Sequence, residues 1–63
     1  MHYYFIEFEF KSPSGAVYWF PLCVNAKSRA EAEDVRTRFS VGLKEAKYVI
    51  QSERGPSLVI GCR

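Results

Sequence analysis

Sixty-three residues, 48% of them hydrophobic and 25% charged, bound a single small domain over residues 1–63 and exclude a disordered tail. A chain of this length buries only about 60% of its unfolded surface, so its core is marginal and needs dense packing, cross-links, a metal or self-association. Nine basic against seven acidic residues leave a net charge of +2, well short of the positive field of a protein that grips nucleic acid through its phosphates.

The first ten residues, MHYYFIEFEF, are dense in β-formers. Glu7 and Glu9 alternate with Ile6, Phe8 and Phe10, which predicts a strand over Tyr3 to Phe10 with its even positions buried. Lys11-Ser12-Pro13-Ser14-Gly15 offers a proline and a glycine for a loop of hairpin length, and Ala16 to Val24 reads as the returning strand. Setting Phe10 opposite Ala16 pairs Phe8 with Tyr18, Ile6 with Phe20 and Tyr4 with Leu22 on a core face. The opposite face then collects Tyr3, Phe5, Glu7 and Glu9 against Cys23, Pro21, Trp19 and Val17. Pro21 has no amide hydrogen to give, which marks the second strand as an edge or a bulge.

Ser28 and Glu31 have the spacing of a capping box, so a helix starts at Ser28. Ala32, Val35, Phe39 and Leu43 form one apolar stripe, and Gly42 marks its end. Asp34 with Arg38, and Glu33 with Arg36, are placed to pair along the wet side. The remainder predicts a second hairpin: Lys44 to Glu53 out, a turn at Arg54-Gly55-Pro56, and Ser57 to Cys62 back. Ala46, Tyr48, Ile50, Leu58, Ile60 and Cys62 fall on its core side, Val49 and Val59 on the other. The expected fold is α+β, ββαββ: a four-stranded antiparallel sheet in the order 2-1-3-4, with one helix on one face.

Nothing in the chain has the pattern of a catalytic site. The only histidine, His2, stands beside the terminus, and Glu7 and Glu9 read as residues that keep a sheet face wet, so no enzymatic activity and no cofactor are expected. His2 and Cys23 point to opposite faces and do not complete a metal site. Two cysteines without paired spacing read as thiols in a reducing cytoplasm, and a Cys23–Cys62 bridge is disfavoured because the two side chains face opposite ways. No apolar run has transmembrane character, so a cytoplasmic protein without membrane contact is expected.

Two readings remain for the face opposite the helix. Tyr3, Phe5, Val17, Trp19 and Pro21, with Val49 and Val59, make an apolar surface of a kind monomers seldom leave in water, and a second copy is its simplest cover. This predicts a small interaction or regulatory module, homodimeric through that face or an edge strand and open to another protein partner. Its size and lack of a site suit a bacterial accessory factor or a phage-encoded modulator. The alternative is a single-stranded nucleic-acid binder that stacks bases on Tyr3, Phe5 and Trp19. It is disfavoured by the weak net charge and by Glu7 and Glu9 on the same face.

The aromatic-Pro step Trp19-Phe20-Pro21, followed by Ser28-Arg29-Ala30-Glu31-Ala32, resembles the hairpin and capped helix of small antitoxin domains of the HicB type over about half of the chain. The acidic-Pro-Gly turn of that family is absent here, and no function is carried over from it.

Overall fold

A computed structural model describes residues 1–61 as β1 (His2–Lys11), β2 (Val17–Ala26), α1 (Arg29–Glu45) and β3 (Val49–Val59). The sheet is antiparallel and three-stranded, in the order β2-β1-β3, and the aromatic-rich β1 is its central strand. The even residues of β1 face the helix: Ile6 and Phe8 are fully buried and Tyr4 nearly so.

The hairpin keeps the expected faces but shifts its partners by two residues. Phe8 stands opposite Phe20, Ile6 opposite Leu22 and Tyr4 opposite Val24. The cause lies in the loop, which closes one residue later than expected. The Ser12 amide donates to the Ala16 carbonyl at 2.8 Å, the Ala16 amide donates back to Ser12 Oγ at 3.1 Å, and Gly15 supplies a φ of 93°. Lys11 is thereby drawn into β1 opposite Val17. A shift of two preserves the alternation of a strand, whereas a shift of one would have turned every side chain over.

The expected second hairpin does not form among the described residues, and the architecture is ββαβ. In place of a turn at Arg54-Gly55-Pro56, β3 runs on and pairs with β1 from Val49 opposite Lys11 to Val59 opposite Tyr3. The three turn residues are absorbed by a register shift, in which Phe5 to Glu7 of β1 faces the longer stretch Arg54 to Ser57 of β3. Gly55 sits there with a φ of 90° and a cis bond to Pro56. A glycine followed by proline serves a bulge as well as a turn. Tertiary contacts decide between them: the Arg36 guanidinium on α1 donates to the Gly55 carbonyl, and Pro56 is fully buried. Cys62, expected on the fourth strand, lies outside the described residues.

Ser28 caps α1 as predicted, accepting from the Glu31 amide at 3.3 Å. The helix passes through Gly42 to Glu45, so Lys44 and Glu45 are helical where a strand was expected. Its end is closed by the Lys47 amide on the Lys44 carbonyl at 3.0 Å and the Tyr48 amide on the Leu43 carbonyl at 2.9 Å, with Lys47 at a φ of 69°. This is the Schellman arrangement, in which a lysine occupies the left-handed position that glycine usually takes.

The predicted stripe packs inward, Ala32 buried and Val35, Phe39 and Leu43 half-buried, with Ser40 buried and Arg36 half-buried beside them. Phe39 holds the centre of the packing, its ring stacked on Phe20 at 5.1 Å and tilted on Phe8 at 4.8 Å. Phe10 continues the cluster toward Tyr18 and Tyr48. Asp34 and Arg38 pair at 3.0 Å as expected. Glu33 instead pairs with Arg29 at 3.4 Å, because Arg36 is committed to Gly55.

Candidate functional site

The face of the sheet away from the helix is built from the odd residues of β1 and their partners. From one end to the other its rows, read β2 to β1 to β3, are Asn25, Tyr3, Val59; then Cys23, Phe5, Ser57; then Pro21, Glu7, Arg54; then Trp19, Glu9, Ser52; and last Val17, Lys11, Val49. All five residues expected at a binding surface lie here: Tyr3 is 42% exposed, Val17 59%, Trp19 61%, Pro21 is exposed and Phe5 half-buried. Val49, 61% exposed, joins them across Lys11.

The face is not one continuous aromatic plate. With the corrected register Trp19 stands opposite Glu9, and the row of Pro21, Glu7 and Arg54 separates it from Phe5. Its indole Nε1–H donates to Glu7 Oε2 at 2.9 Å, which fixes the ring against that carboxylate. Beside the pair lies an open depression of about 180 Å³, lined by Glu7, Phe8, Glu9, Trp19, Ser52 and Arg54. Among the described residues Glu9, Lys11 and Arg54 have no ion-pair or hydrogen-bonding side-chain partner. The surface therefore carries unpaired charges of both signs between apolar flanks.

Arg54 and Ser52 escape the sequence reading because Arg54 falls in the expected turn and Ser52 has the even parity of the expected core side. Alternation from Val49 or Val59 would put both on the helix side; the register shifts of β3, one between Phe5 and Glu7 and one between Glu9 and Phe10, invert the parity over Ser52 and Arg54 and bring both to the outer face. A second apolar area lies at the end of the sheet, where Met1, His2, Tyr3, Leu58, Val59 and Ile60 line a shallow hollow. Leu58 stands opposite Tyr4 yet is well exposed.

Among the described residues no group of three or more His, Cys, Asp or Glu gathers as a metal site, and no helix is long and apolar enough to cross a membrane. Cys23 is in disulfide form, which corrects the expectation of an ordinary thiol at that position. Cys62, and with it the bridge disfavoured from the sequence, lies outside the described residues. Comparison with known proteins finds no match to a family model, a curated protein or a solved structure.

Proposed function

We propose that the chain works by association and carries out no chemistry of its own, its outer sheet face docking on a second copy. The observation that carries this reading is the exposure of Trp19, Val17 and Val49 on a sheet with a helix on its other face only. Apolar area of this kind is the usual material of an interface, and a chain with so few buried side chains gains most from sharing it. An accessory or modulating role toward another protein fits the same surface, with the dimer presenting its edges and ends.

The nucleic-acid reading has less behind it. Tyr3 and Trp19 are exposed, but Glu9 stands directly opposite Trp19, Glu7 stands in the next row toward Tyr3, and the Glu7 carboxylate holds the indole. Phosphates would meet that negative charge first. The disulfide form of Cys23 weighs against the cytoplasmic setting expected from the sequence, since disulfides are rare where thiols are kept reduced.

Sedimentation of the wild-type chain, with Trp19→Glu beside it, tests the reading. Wild type is expected as a dimer in the micromolar range and Trp19→Glu as a monomer. A wild-type chain that is monomeric at high micromolar concentration defeats the proposal. Quenching of Trp19 fluorescence by single-stranded oligonucleotides, weakening with salt, would favour the alternative.

A further inference from the structure

The geometry points to a specific seam between the two copies, a two-fold axis running across the strands between the row of Glu9 and the row of Lys11, with Glu9 of each copy paired to Lys11 of the other. This rests on the dimer reading above and adds its register. A two-fold interface must be complementary to itself, so a face that carries both signs of charge suits a second copy better than a partner of one sign.

The two end rows have the required pattern. Trp19, Glu9 and Ser52 form one, and Val17, Lys11 and Val49 the next, so each places a charge in the middle strand and apolar or small side chains beside it. The two central charges are opposite, and neither has a side-chain partner among the described residues. Rotation about an axis between these rows lays Glu9 over Lys11, Trp19 over Val17 and Ser52 over Val49 of the second copy. β1 then crosses β1 of the second copy nearly antiparallel, within the aligned class of sheet packing. Among axes that run across the strands, no other pair of rows supplies that match. An axis between the Glu7 and Glu9 rows would set those carboxylates on one another, and an axis through either row would set one carboxylate on itself.

The depression beside Trp19 gives the lysine somewhere to go. Its volume of about 180 Å³ is several times the ~30 Å³ share of a water molecule, enough for an ammonium head and part of its stem. Glu9 and Glu7 stand on the middle strand there and the indole, held by its bond to Glu7, borders them. An ammonium beside carboxylates and an aromatic ring gains both Coulombic and cation–π attraction. The seam is small: the two rows of each copy that overlap, across three strands, project to about 200 Å², about a quarter of the ~800 Å² per partner in a standard interface. A reversible, salt-sensitive dimer follows, not an obligate one.

Charge exchange tests the seam. Glu9→Lys and Lys11→Glu, each alone, place like charges together twice in the dimer and are expected to raise the Kd at least about tenfold. Mixed in equal amounts, the two variants restore opposite charges at both sites and are expected to form a heterodimer as tight as wild type. Sedimentation equilibrium reads both results, and far-UV circular dichroism confirms that each variant folds. The wild-type Kd should also rise with salt as the pair is screened. If wild type dimerises and Trp19→Glu abolishes it, but both single exchanges leave Kd unchanged, the seam is wrong while the dimer stands. If wild type is monomeric, the dimer reading falls and takes the seam with it.

Discussion

Gly55→Ala should be the most damaging methyl group that can be added to this protein. An ideal Cβ at Gly55 lies 2.3 Å from the Phe5 carbonyl oxygen and 3.2 Å from Ile6 Cα, both backbone atoms of the central strand. Neither can swing aside as a side chain would, so β1 and β3 must part by about 1 Å to reach ordinary contact. The φ of 90° adds strain of about 1–3 kcal/mol for any residue with a Cβ. Forcing an extra carbon into packed surroundings costs about 1–3 kcal/mol more. The combined loss of about 2–6 kcal/mol compares with a total stability of about 3–9 kcal/mol for a chain of this length. Thermal unfolding followed by circular dichroism should show Tm lowered by at least about 8 °C, at about 4–8 °C per kcal/mol for a domain of this size. Gly42→Ala is the internal control: it adds the same methyl inside α1 with nothing within 4 Å, and is expected to stabilise by up to about 1 kcal/mol. If Gly55→Ala shifts Tm by less than about 4 °C, the continuous β3 with its glycine bulge is not the structure in solution.

Two further substitutions read the packing and the helix end. Lys47→Gly relieves the left-handed C′ position and should stabilise by about 0.5–1 kcal/mol in urea unfolding, and a loss of stability would show that the Lys47 side chain does more there than tolerate its φ. Phe39→Ala removes the ring that joins Phe8 and Phe20, and should cost about 3 kcal/mol or more in the same assay. A cost under about 1 kcal/mol would place the centre of the core elsewhere.

The legible part of the fold is the part governed by local rules. Alternation over Tyr4, Ile6, Phe8 and Phe10 identifies the buried face whatever the register, and Ser28 announces its helix through a bond within four residues. The hairpin partners were legible only to within two residues, because the closing hydrogen bonds of Ser12 are one of several ways a five-residue loop can shut. The fate of Gly55 and Pro56 was not legible, since the contacts that keep the chain running come from Arg36, nineteen residues earlier. The register shifts of β3 bring Arg54 and Ser52 to the outer face against the parity of Val49 and Val59, whereas Tyr3, Phe5, Val17, Trp19 and Pro21 need only the parity of their strands. The charge pattern of Glu9 against Lys11 became visible only when the loop's true closure brought Lys11 into the sheet.

The strand order also sets a timetable. β1 is synthesised first and receives its neighbour β2 almost at once, but its other edge waits for β3, with Tyr3 pairing to Val59 across nearly the whole chain. Until the last strand emerges, a ten-residue aromatic strand is exposed along one side, and pairing over such a sequence distance is the slow kind. Loss of β3 would therefore leave an open template in the middle of the sheet, the setting in which strands recruit copies from other molecules. In this fold, the cost of losing β3 falls on β1.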